Sequence, residues 1–483
     1  MTTQRIPIPG TSLALDGQTV TTSQGAAIRE VTTIGDPSID AALAQVVNAP
    51  PCIDDYGLVT HSLISFDDTA AVDAFGRLRV SMSHTLFDAQ QEYGLDTLRV
   101  WDATANGTLS NASPGTNGSV TSGSNAVGPT DANTRMTPIT VSTTNGHYSI
   151  LQSRQYPRYI PGKGHLVLAT GIFASGANAT ASIVRRSSTS GTAVDVAVAQ
   201  ADWNIDCFCG DGPSGITLDF TKTQILFIAA QWLGVGRVIV GFDVDGKLFP
   251  AHAFLNANIL TVPYTQSFNI PVRYELRNTG AAESKARVGL FDHANGIFLE
   301  TVRAVAGGSI QMVCASVQSE GGEEARGFPR TFGSATAIGT ITTRRPIRSI
   351  RPKATFNSRT NRAHIEEIEI ELVTGGASVY WEIVLGGTLT GASFAEVSAS
   401  SVAEGDVAAT AITGGVTIKS GFAVAGSGAV KGATSGTGDT RNPFTLSQID
   451  ALTATQDSVS LVVTSLGGNA SVNSAINWHE QTV

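Results

Sequence analysis

Short runs of alternating apolar and polar residues recur along this chain, and turn residues separate them. His165–Phe173 (HLVLATGIF) follows a Pro-Gly-Lys-Gly turn, and Gln224–Ala230, Val235–Phe242, Lys247–Phe254, Val272–Arg277 and Arg287–Phe291 follow at close spacing. Such runs, rich in Val, Ile, Phe and Tyr, predict strands of a half-buried sheet. Asp245-Gly246 between two of them predicts a two-residue hairpin, because a type I′ turn needs φ > 0 at both positions. Asn295-Gly296 is a second hairpin candidate. Further on, Ile365–Val373 (IEEIEIELV) alternates best at Ile368, Ile370 and Leu372, and Val379–Leu385 reads as a buried strand. Leu461–Ser465 and Ser471–Trp478 close the chain as strands around Leu466–Asn469. The pattern predicts an all-β protein of two β-sandwich or jelly-roll-like domains, residues 71–330 and 331–483. No repeat of fixed period accompanies them, which weighs against a propeller or regular β-helix.

Two segments break the pattern. Residues 1–70 are short extended pieces with prolines, predicting an extended N-terminal anchoring arm with one short helix near Ser38–Val47. Residues 103–135 are Gly/Ser/Asn/Thr-rich, predicting a flexible loop inside the first sandwich.

Composition narrows the classes. The 483 residues are 15% charged and include 51 glycines; average usage is about 25% charged and about 7% Gly. This excludes a long charged helical bundle. The net charge of −9 argues against general nucleic-acid binding, which needs a basic footprint. No apolar leader opens the chain, and the most apolar stretch, Ile225–Phe242, is interrupted by Gln231 and Arg237, predicting strands and no membrane insertion. Only seven of the 31 basic residues are lysine. Arginine suits interfaces, so the skew fits an assembled protein, although genome composition produces the same skew.

Candidate chemistry is sparse. Of four cysteines, Cys207 and Cys209 stand two apart and Cys52 and Cys314 alone; free thiols in a reducing compartment are expected, with a metal role for the pair left open. Asp243 and Asp245 share a strand face, as hydrolytic carboxylates would, but hairpin-turn chemistry also explains them. Trp203 and Trp232 suit either a sugar platform or core packing. The eight histidines are scattered, and no phosphate loop or nucleophile elbow occurs. No cofactor and no metal site is expected. One basic cluster stands out: Arg344, Arg345, Arg348 and Arg351 lead it, Lys353, Arg359 and Arg362 end it, and Glu366, Glu367, Glu369 and Glu371 follow. A charge match between that cluster and the acidic strand, across subunits or domains, is expected.

Several stretches carry a resemblance. Asp73–Asp88 (DAFGRLRVSMSHTLFD) resembles a signature of virion structural proteins of tailed bacteriophages, and ADWNID at 201–206, GPSGITL at 212–218, QWLGVGR at 231–237, IRPKATF at 350–356 and LTGASF at 389–394 are similar to stretches of the same proteins. The likeness spans roughly residues 70–483. Two departures stand out: the Cys207/Cys209 pair occupies a polar loop position, and Val288–Glu300 lies later in the chain than in the relatives, leaving the first sandwich's strand order open. The resemblance implies a non-enzymatic structural component of the virion, assembled in the bacterial cytoplasm and docked on capsid or tail. It also implies a homotrimer contacting other virion proteins, with host surface glycan as a further partner. Phe75, Arg77, Arg79 and Phe87, together with Arg344, Arg345, Arg348 and Arg351, are the docking candidates. The rival reading is a receptor-binding spike that binds or degrades host polysaccharide, with Asp243, Asp245 or Glu382 as its acids.

Overall fold

The computed structural model describes residues 3–7, 14–22, 25–34, 44–47, 83–91, 98–103, 120–122, 125–128, 130–153, 156–320, 327–425, 430–433 and 458–481. Their regular structure is strand throughout, apart from one 3-10 turn at Gln200–Asp202. The chain divides into two compact units, Met1–Ser81 and Met82–Val483. In the first, strands Thr3–Pro7, Ala14–Thr22, Gly25–Ile34 and Ala44–Val47 pair in that order. Ala44–Val47 is therefore strand where a helix was expected. The anchoring role of the arm falls outside the described residues.

The second unit holds two pairs of stacked antiparallel sheets. A seven-stranded sheet runs from the edge strand Val194–Ala199 through Thr180–Ser187, Gly296–Arg303, Glu283–Phe291, Val272–Gly280 and Tyr148–Ser153 to Leu98–Ala103. A nine-stranded sheet faces it, with His165–Ile172, Gln224–Ala230 and Gly308–Glu320 at its centre. Strict alternation explains the stacking. In His165–Ile172 every second side chain is buried, so this sheet turns one apolar face to its partner, whose central strands Tyr148–Ser153, Val272–Gly280 and Gly296–Arg303 are buried on both faces. Val167, Ile228 and Val240 from one sheet and Leu151, Tyr274 and Val288 from the other share a single core.

A second core lies between a four-stranded and a six-stranded sheet. Ile370, Val472 and Trp478 meet Ile347, Trp381 and Leu461 there. In His364–Gly375 the ladder with Ala470–Gln481 shifts register between Glu366 and Glu369. That bulge moves the buried side from Ile365 to Ile368, Ile370 and Leu372, all about 1% exposed or less.

The turns follow their residues. Asp245 and Gly246 have φ of +54° and +80°, and the Asp243 carboxylate accepts the Gly246 N–H at 2.9 Å. The Asn295-Gly296 hairpin is a longer turn than two residues: the Asp292 carboxylate accepts the N–H groups of Ala294 and Asn295, both at 2.7 Å. Gly296 is obligatory there, since a Cβ would meet the Phe291 Cβ at 2.2 Å.

Two further expectations fail in the second unit. The segment 103–135 is not one continuous loop: Val120–Ser122 and Asn125–Val127 form a hairpin that continues the nine-stranded sheet. Cys207 and Cys209 are not free thiols but form a disulfide. Phe208 between them takes φ of +49°, which folds the backbone sharply enough for the sulfurs to meet across one residue.

Candidate functional site

A cavity of about 1290 Å³ lies where the two sandwiches meet. One wall is set by the loop Gln231–Arg237. This loop is tight: Leu233 and Gly234 have φ of +37° and +78°, and the Gly236 N–H donates to the Trp232 carbonyl at 2.7 Å. A Cβ on Gly236 would lie 1.5 Å from the Gln231 oxygen, so the turn closes only with glycine. It presents Trp232 half-buried on the cavity wall. Phe268 stacks on the indole (6.4 Å, 17°) and Tyr159 meets it edge-on at 5.3 Å. The indole N–H donates to the Thr265 hydroxyl at 2.7 Å. These contacts fix the ring on three sides.

The facing wall belongs to the second sandwich. Thr355–Phe356 and Arg359–Thr360 pair as a small hairpin whose tip, Asn357 and Ser358, has φ of +48° and +61°. Such a tip favours Asn at its first position and glycine at its second, so Asn357 suits it, while Ser358 holds a conformation that costs a non-glycine residue on the order of 1–3 kcal/mol. The hairpin base is pinned by buried Asn361, whose amide N–H groups donate to the Lys353 and Val402 carbonyls at 3.0 and 2.9 Å. Beside it, Arg362 forms an ion pair with Asp292, bridging the two sandwiches. Its Nη1 is buried and has no hydrogen-bond partner among the described residues. Arg330 donates to Glu480 at 3.0 Å. Arg359 is exposed and lines the cavity.

The docking candidates fall elsewhere. Phe75, Arg77 and Arg79 lie outside the described residues. Phe87 is not a surface residue: it is 5% exposed, its strand Ser83–Gln90 pairs with Gly308–Glu320, and it joins the first core. The arginine cluster is not matched to the acidic strand 366–371. Arg344 pairs with Glu382 at 2.8 Å and Arg351 with Glu404. Buried Arg348 donates to the Ser474 carbonyl at 2.8 Å and its hydroxyl at 3.0 Å. The Arg345 Nε is buried with no hydrogen-bond partner among the described residues. All three acceptors belong to the same sandwich: Glu404 on the adjacent strand, Glu382 two strands away in the same sheet and Ser474 on the facing sheet. The expected match across domains is made instead by Arg362 with Asp292.

The carboxylates considered for hydrolysis do not converge. Asp243 holds its hairpin in the first sandwich. Glu382 lies in the second, where burial raises its pKa but hydrogen bonds from Arg344 and Thr417 outweigh that and hold it below the usual glutamate range. Trp203 and Trp232 are also separated in role: Trp203 is 5% exposed and packs on Phe242 and Phe208 in the core. Arg359 and Arg362 belong to the basic cluster read from the sequence, whereas Asn357, Ser358, Phe268 and Tyr159 were not singled out there. Asn357-Ser358, a turn pair inside the basic cluster, is the signal that marks its tip.

Among the described residues, no His/Cys/Asp/Glu group is arranged to hold a metal ion, and no helix is long and apolar enough to cross a membrane. No protein-family model and no curated protein sequence matches the chain. Among solved structures it is similar to a lectin from Bauhinia forficata in complex with GalNAc, at 8% identity and a TM-score of 0.15, over 50% of this chain and 99% of the lectin.

Proposed function

We propose that this protein is a non-enzymatic structural component of a tailed-phage virion, docked on capsid or tail and assembled with copies of itself, most simply as a homotrimer. Besides the sequence resemblance, one observation carries the assembly reading. Leu233 and Val235 on one loop, and Leu255, Ile259 and Val262 on the next, are 37–65% exposed. The two loops are clipped together by the Tyr264 N–H on the Gly234 carbonyl (2.9 Å) and the Asn256 amide on the Gly236 carbonyl (2.7 Å). Five exposed aliphatic side chains on a fixed support form a patch of the kind that marks protein contact surfaces. Its occupant in this reading is a second copy of the chain, since a repeated subunit covers such patches by symmetry.

The non-enzymatic part rests on the separated acids: Asp243 serves a turn and Glu382 an ion pair. Native mass spectrometry of the purified chain is expected to give an oligomer, and Leu255→Asp with Ile259→Asp to give monomer. A wild-type monomer at micromolar concentration would remove the self-assembly reading. A particle reconstruction that places the chain nowhere in the mature virion would remove the virion role.

A further inference from the structure

The cavity between the sandwiches has a chemistry that the structural role does not use. One wall is a rigid indole, supported from behind by aromatic rings and held by its N–H. The other is a hairpin tip of polar residues, ending in the exposed cation Arg359. The tip keeps Ser358 where glycine would relax the backbone, so its side chain is retained against a local preference; such strain collects at ligand clamps. The cavity also exceeds the usual range for one small ligand, about 300–1,000 Å³.

We propose that this cleft binds an acidic oligosaccharide. A pyranose ring has an apolar C–H face and a rim of hydroxyls. Trp232 is placed to take the C–H face, as aromatic rings do when one side of a ligand is apolar and the other wet. Asn357 and Ser358 offer amide and hydroxyl groups to the rim, and both can donate and accept. The charges on the wall choose the sign. Arg330 is neutralised by Glu480 and Arg362 by Asp292, which leaves Arg359 to attract a carboxylate. Its planar guanidinium can grip one in bidentate fashion. The volume accommodates several sugar units, so an oligosaccharide fills it better than a monosaccharide. Water already hydrates such ligands well, so affinity comes from the fixed walls, which lose little freedom on binding.

Calorimetric titration of the full chain with a polymannuronate hexasaccharide tests this, with maltohexaose as the neutral probe. Binding of the acidic probe at least tenfold tighter than the neutral one is expected, weakening as salt rises. Trp232→Ala should reduce binding of both probes at least tenfold. Arg359→Gln, at an exposed tip, should reduce only the acidic probe's binding, to the level of maltohexaose. Unchanged circular dichroism and melting temperature would show that Arg359→Gln leaves the fold intact. No heat with either probe would overturn the proposal, as would equal binding of both or binding indifferent to both substitutions. None of these outcomes bears on whether the chain oligomerises or enters a particle.

Discussion

The two sandwiches handle their arginines in opposite ways. On the seven-stranded sheet of the first, Glu275 is 1% exposed and has three cations around it: Arg273 at 3.5 Å, Arg277 at 3.3 Å and Arg287 at 3.4 Å. Arg287 also reaches Glu300 at 2.7 Å, and on the same sheet Arg186 pairs with Asp195. The charges form one network. Adjacent antiparallel strands create it, since Glu275 stands opposite Arg287 and Arg287 opposite Glu300 in register. In the second sandwich, Arg344, Arg348 and Arg351 occupy one stretch of chain, yet each finds its own acceptor. A network makes its members depend on one another; isolated pairs fail singly. The first sandwich therefore ties several arginines to one buried carboxylate, whereas this stretch of the second gives each arginine its own acceptor.

The largest test strikes the centre of the network. Glu275→Gln keeps the side chain's shape but removes the charge facing three arginines. Breaking a buried ion pair from one side costs about 3–5 kcal/mol, and that is the expected loss in unfolding free energy of the first sandwich, read by urea denaturation. A loss under about 1 kcal/mol would show that the network is not a unit. Burial raises the Glu275 pKa, but the three arginines outweigh it and hold it below the usual range. A carboxylate whose folded pKa is lowered contributes stability at neutral pH and loses it as pH falls through the folded value. The substitution should accordingly flatten the acid limb of the stability profile below the ordinary glutamate pKa.

His165 sharpens the contrast from the same half. It is buried in the first core against Tyr159 and Phe268, and desolvation lowers its pKa to about 4, against a raising hydrogen bond with the Arg158 carbonyl. The unfolded chain binds this proton near pH 6.5, so the folded state loses stability as pH falls from there to about 4. The gap between the two values corresponds to about 3 kcal/mol. Protection factors across 165–172, each taken against the intrinsic exchange rate at that pH, should fall over that window, and His165→Phe should abolish the fall. An equal fall in the variant would assign it elsewhere.

How much of this could be read along the chain depends on range. Strands were legible because alternation is local: Ile368, Ile370 and Leu372 announce their face without knowledge of the partner. The Asp245-Gly246 turn is equally local. The partners of the arginines were not legible, because Arg344 and Glu382 are 38 residues apart and Arg348 and Ser474 are 126 apart. The nearby acidic strand offered a match by proximity along the sequence, but the sheets brought other strands closer. The disulfide depended on Phe208 accepting a positive φ, which no neighbouring residue signals. The cleft is the least legible of all, since Trp232 and Asn357, 125 residues apart, line one cavity only where the two sandwiches meet.

The smallest effect belongs to the second sandwich. Arg344 is 37% exposed on its side chain, and its Nε bonds Glu382 at 2.8 Å. Glu382 is buried on its side of the pair, but Arg344 meets water, which screens the pair toward the range of exposed pairs, about 0.2–1 kcal/mol. If Arg344→Ala is made, Glu382 keeps the Thr417 hydroxyl at 2.8 Å as a donor, so its charge is not left bare. Arg351 and Arg348 keep partners that do not touch Glu382. Urea unfolding should therefore shift by no more than about 1 kcal/mol, and the shift should shrink further in high salt. A loss beyond about 2 kcal/mol, outside the range of exposed pairs, would mean that these arginines are coupled through the strand. The two halves would then differ only in burial and not in how their charges are organised.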